Sequence, residues 1–110
     1  MDELRFEDLL AEPKEFEFRG KRVRIPPLKV RDLKLFMDIS EPDKRTDALV
    51  QIFVKTMKEI FPERSEEEIK NLPATVALEF FNMIVEANNL QSEVSDEDFQ
   101  EAMAKLRSSS

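Results

Sequence analysis

The chain contains a single Gly, and it lies at the centre of its one clear alternation of polar and apolar residues. Glu15-Phe16-Glu17-Phe18-Arg19 precedes it and Arg22-Val23-Arg24-Ile25 follows. A period of two is the signature of half-buried strands, and Gly supplies the positive φ that a tight turn needs. The spacing predicts a β-hairpin over residues 15–26 with Gly20-Lys21 as a type II′ turn. In that register Phe18 faces Val23, Phe16 faces Ile25 and Glu17 faces Arg24. Four apolar side chains then share one face. One slip would set Phe beside Arg, which favours a single pairing. A lone hairpin is marginal, so this face must rest on something.

The remaining periodicity is helical. Leu4, Phe6, Leu9 and Leu10 suit a short amphipathic arm over residues 1–12, ended by Pro13. Pro26-Pro27 cannot donate to a ladder and stops the second strand. Val30, Leu33, Phe36, Met37 and Ile39 then share one side of a helix, with Asp32 early in it, where the dipole favours a carboxylate. Ser40-Glu41-Pro42-Asp43 reads as a break. From about Lys44 to Phe61 runs the strongest stripe: Ala48, Leu49, Ile52, Phe53, Thr56, Met57 and Ile60, widened by Val50 and Val54. A helix apolar around so much of its girth belongs at the centre of a core.

Pro62 ends that helix. Ser65 and Glu68 form a capping box for a short helix that closes at Leu72-Pro73. Val76, Ala77, Phe80, Phe81, Ile84 and Val85 are the inward set of the next helix, which Asn88-Asn89 can cap. Ser95 with Asp98 opens a last helix carrying Phe99, Ala102, Met103 and Leu106. The expected fold is mainly α: a small domain of four to five helices with one N-terminal β-hairpin. It is expected as a single domain over 1–107, comprising the arm (1–12), the hairpin (15–26), a helical core (29–90) and a C-terminal helix (95–107). The polar end, 108–110, is expected to be disordered.

Among the 110 residues there is no Cys, His, Trp or Tyr. That removes disulfides, thiolate metal sites, thiol nucleophiles and the commonest metal ligand. One Gly cannot build a phosphate-cradling loop or a dinucleotide fingerprint. The acidic runs Glu66-Glu67-Glu68 and Asp96-Glu97-Asp98 fall in the first turns of expected helices, where acids are favoured structurally. Catalysis by either run would need a buried carboxylate in a cleft. No cofactor or metal is implied, and the expectation is a protein without enzymatic activity. No apolar run approaches the roughly 20 residues of a membrane span, and no secretory signal opens the chain.

Two features offer binding. Residues 19–34 hold seven bases (Arg19, Lys21, Arg22, Arg24, Lys29, Arg31 and Lys34) and one acid, so a local charge of +6 stands within a chain of net charge −7. Such a patch could meet phosphates, giving a small nucleic-acid-binding regulator as one reading. The favoured account is a solvated strand face that pairs with acidic helices of the same fold. The second feature is nine Phe and five Met. Phe53, Met57, Phe80, Phe81 and Met83 are the candidate excess over one small core, and so a candidate patch for an apolar partner. Ordinary core packing is the competing account of each.

The order of elements resembles that of phage tail assembly chaperones. The segment GKRVRIPPLKVRDLKLF (Gly20 to Phe36) is similar to their strand, Gly-Lys, strand and Pro-Leu-x-x-x-Asp-Leu helix start, with Pro27, Leu28, Asp32 and Leu33 at the matching positions. ALVQIFVKTMKEIFPERSEEEIKNLP (Ala48 to Pro73) resembles their long helix, Pro-containing turn and next two helix starts, and FFNMIVEANNL (Phe80 to Leu90) the helix end that follows. Lys29 departs from the pattern, since relatives often carry Thr or Ser there as a cap. The resemblance spans about residues 15–90. It implies a non-catalytic morphogenesis factor of the host cytoplasm that binds and solubilises the tape measure protein and helps recruit tail tube protein. It also implies absence from the mature virion and, in many relatives, a frameshifted longer product. Self-association is compatible with it.

Overall fold

A computed structural model of the chain describes residues 3–10 and 13–108. Two antiparallel strands, β1 (Lys14–Phe18) and β2 (Lys21–Ile25), precede five helices: α1 (Leu33–Ile39), α2 (Pro42–Ile60), α3 (Glu66–Lys70), α4 (Ala74–Ala87) and α5 (Asp96–Ser108). Short 3₁₀ turns occupy Phe6–Leu9 and Val30–Asp32. The mainly α fold with one N-terminal hairpin is as expected. Of the arm, residues 1–2 and 11–12 lie outside the described residues, and the rest forms only the 3₁₀ turn. Of the expected disordered end, Ser108 closes α5, and 109–110 lie outside the described residues.

The hairpin forms in a different register. Phe16 pairs with Val23, Glu15 with Arg24 and Lys14 with Ile25, so the turn is Arg19-Gly20 rather than Gly20-Lys21. Both turn residues have positive φ, 51° and 82°, the requirement of a type I′ turn, whose twist suits the flanking strands. The pairing has slipped by two residues, and a two-residue slip leaves every side chain on its original face. Alternation therefore excluded the one-residue slip but could not see this one. Phe16, Phe18, Val23 and Ile25 still share the face laid on the helical core.

α2 runs through the centre, with Ala48, Leu49, Ile52, Phe53, Val54, Thr56 and Met57 buried. It begins at Pro42, ahead of the expected Lys44, because Pro at the first helical position lacks only an N–H that would be unpaired anyway. α4 and α5 close over it. The Phe81 ring stacks on Phe53 at 4.3 Å between centroids and meets the edge of Phe99 at 5.8 Å. Outside this core, Lys105 pairs with Asp47, and the Thr46 hydroxyl donates to Glu101 at 3.0 Å, tying α5 to α2.

The first helix is rotated from what its spacing suggests, so that of the expected inward set only Phe36 and Ile39 face the core. Ile39 is buried and Leu35 and Phe36 are half-buried, whereas Val30, Leu33 and Met37 are 56–88% exposed. The inward side also holds a charge. Asp32 is only 6% exposed, and Lys55 of α2 donates to its Oδ1 at 2.8 Å. The Lys29 backbone N–H donates to its Oδ2 at 3.3 Å. Asp32 thus caps the turn that Lys29 cannot cap with its own side chain. At the far end of α4, Asn89 takes the left-handed conformation. The buried Asn88 side chain accepts from the Leu28 N–H at 2.8 Å and donates to the Ile84 carbonyl at 2.9 Å. This fixes the strand-to-helix connection on α4.

Candidate binding groove

The five apolar residues expected to face a partner lie in the core. Phe53, Met57, Phe80, Phe81 and Met83 are each at most 9% exposed. The reason is that their helices are central, so wide stripes are covered by neighbours on several sides. The correction is partial for two of them. Met57 and Phe80 form the floor of a groove of 590 Å³ between the hairpin and the helices, within the usual ~300–1,000 Å³ range of binding pockets.

Each wall of the groove has a local cause. Phe18 and Val23 come from the apolar face of the hairpin, and Phe18 leans on Phe80 at 5.1 Å between ring centroids. Phe61 is the C-cap of α2; Pro62 stops the helix there and leaves the ring half in solvent. α3 is held by its Ser65–Glu68 capping box, and it contributes Ile69, the one residue it buries. Leu72 and Val76 complete the wall where Pro73 opens α4. The rim is mostly basic: Lys21, Arg22 and Arg64 against Glu68. Arg64 donates to Glu68 at 3.2 Å. Besides Met57 and Phe80, this groove was not legible in the sequence, although Pro62 and Pro73 bracketing a short helix mark where a wall must be thin.

The seven basic residues are spread over the hairpin, the connection and 3₁₀ turn that follow it, and α1, and four are matched by acids. Arg22 and Arg24 lie 3.9 and 3.2 Å from Glu15, Arg19 lies 4.0 Å from Glu79, and Lys34 lies 3.0 Å from Asp38. Arg19 also covers the Phe18 ring at 4.9 Å. The acidic runs sit at helix starts. Glu66, Glu67 and Glu68 are exposed. Hydrogen bonds with the Ser65 backbone and Arg64 hold the Glu68 carboxyl below its ordinary value. Asp98 caps α5 by accepting from Ser95 N–H at 2.8 Å, and it lies 3.5 Å from Arg45. Arg45 in turn donates to the Ile39 carbonyl at 2.6 Å. The polar cleft these residues line with Ser40, Ser92, Glu93 and Val94 therefore has its main charges already engaged.

The buried Asp32 has its carboxyl held below the ordinary value by the hydrogen bond from Lys55, which outweighs the opposing effect of burial. No cluster of His, Cys, Asp and Glu that could hold a metal occurs among the described residues. Among them, too, no helix is long and apolar enough to cross a membrane. No family model, curated protein or solved structure matches the chain.

Proposed function

We propose that the protein binds an amphipathic helical segment of a partner in the groove between the hairpin, α2, α3 and α4, without chemistry. The observation that carries this reading is the groove itself, with an apolar floor of Met57 and Phe80 and a rim of Lys21, Arg22 and Arg64. Helix-in-groove recognition needs such a trough for residues at i, i+3, i+4 and i+7, and a charged rim to set orientation. Arg64 pairs with Glu68 and Arg22 lies 3.9 Å from Glu15, yet with Lys21 the rim keeps a positive excess, so the fitting occupant has acidic residues flanking its apolar stripe. Taken with the resemblance of residues 15–90, the reading becomes that of a tail assembly chaperone. On this reading the groove holds segments of the long, largely helical tape measure protein in the host cytoplasm, keeps it soluble and helps bring tail tube protein to it. The protein itself would stay out of the mature virion.

The alternative, a nucleic-acid-binding regulator, has less support, because carboxylates lie within 4.0 Å of four of the seven basic side chains. Co-expression with the tape measure protein tests the proposal. The expected result is a gain in that protein's solubility and its co-purification. Val76→Glu in the wall and Arg22→Glu on the rim should weaken capture while leaving the circular dichroism spectrum unchanged. An insoluble partner, or capture undiminished in both folded variants, would overturn it.

A further inference from the structure

Among the described residues nine large apolar side chains are exposed, and seven of them belong to two patches. Leu4, Phe6, Leu9 and Leu10 on the N-terminal arm are 59–75% exposed. Val30, Leu33 and Met37 form the outward stripe of the 3₁₀ turn and α1. Single exposed hydrophobics need no explanation, but contiguous groups mark contact sites. The charges of the two patches are opposite. Residues 1–12 carry five acids and one Arg, while Lys29, Arg31 and Lys34 flank the stripe.

We infer that the arm of one copy docks on the α1 stripe of a second copy, and that a two-fold exchange of arms forms a dimer. Both patches stay uncovered within one chain, and a second copy offers each the complementary surface. An isologous contact uses both patches twice and leaves neither open, so assembly closes at two. The partner groove lies elsewhere, on the hairpin, α2, α3 and α4. Dimerisation and partner capture can therefore fail independently.

The absence of Cys gives a clean background for cross-linking. Leu9→Cys and Met37→Cys proteins, mixed and mildly oxidised, should form the mixed disulfide at least about tenfold faster than Met37→Cys mixed with Glu63→Cys. That ratio is the millimolar effective concentration of docked groups against chains at about 100 µM. By light scattering at the same concentration, the natural chain should have about twice its 12.9 kDa mass. Leu33→Glu with Met37→Glu should be monomeric, with unchanged circular dichroism because both sites are exposed. High salt should shift the natural chain toward monomer by screening the flanking charges. A monomer at that concentration, or cross-linking no faster than the control pair, would overturn the inference. So would an intramolecular disulfide in the Leu9→Cys/Met37→Cys double variant, which would mean that the arm covers its own helix.

Discussion

Phe81→Leu separates the two accounts of the Phe-rich helices. Phe81 is 1% exposed and joins three helices, stacking on Phe53 of α2 and meeting Phe99 of α5 edge-on. Each aromatic pair contributes about 0.5–1.5 kcal/mol beyond area burial, so losing both costs about 2 kcal/mol. The space that Leu leaves beside two fixed rings raises this to about 2–3 kcal/mol, short of the ~3–5 kcal/mol of Phe→Ala. For a domain of this size that is a fall in Tm of about 10 °C, read by circular dichroism on heating. The control is Phe61→Leu, whose ring is already half in solvent and whose cost should stay within about 0.5 kcal/mol. Combining Phe81→Leu with Phe99→Leu should cost less than the sum of the two, by about 0.5–1.5 kcal/mol, because the same pair is lost only once. A Tm shift below about 2 °C for Phe81→Leu, together with lost capture of the partner, would refute this packing. It would mark the ring as a contact surface.

Other parts of the fold carry their own expectations. Asp32→Asn should cost about 1–2 kcal/mol rather than the ~3–5 of a fully buried broken pair, because the Lys55 side chain is 42% exposed and can turn to water. Since the folded Asp32 carboxyl titrates below its ordinary 3.8, the stabilisation is complete above that value and is lost as pH falls through the folded value. The natural and Asn proteins should therefore converge in stability as pH falls below the folded value; a gap that does not shrink in acid titrations would refute the pairing. Gly20→Ala meets no atom within 4 Å, so only its φ of 82° opposes it. The expected loss is about 1–2 kcal/mol, and an unchanged denaturant midpoint would refute the turn.

Much of the architecture was legible because strong local signals agreed with the packing. Capping boxes at Ser65 and Ser95 stand where helices begin, and the α2 stripe is the buried centre. Two kinds of error remained, and both come from what periodicity measures. A period states which residues share a face. It says nothing of which partner meets them, so the hairpin could slide by two residues with its apolar face intact. Nor does a period say which face is covered. Over the 3₁₀ turn and α1 the spacing groups Val30, Leu33 and Met37 with Phe36 and Ile39, but of that set only Phe36 and Ile39 pack inward, beside Asp32 and Leu35. The Asp32–Lys55 pair lies on that inward side, made by residues on two different elements with no pattern between them.

The burial of the expected site residues follows from the same limit. Phe53, Met57, Phe80, Phe81 and Met83 belong to the most apolar helices, and the strongest stripe is the one a small domain has most reason to bury; of the five, Met57 and Phe80 line the groove. Burying a large apolar side chain is worth about 1.5–3 kcal/mol, so a domain that exposed five of them would forfeit most of its ~5–15 kcal/mol of net stability. A contact surface that coexists with a stable monomer must instead use residues the core does not need. Such exposed residues include Leu4, Phe6, Leu9 and Leu10 on a segment outside the helical core, Val30 in the 3₁₀ turn, and Leu33 and Met37 on a helix of only seven residues. Uncommitted apolar surface therefore lies on the weak segments at the edge of the fold, while the strong central stripes offer a partner only the groove floor at Met57 and Phe80.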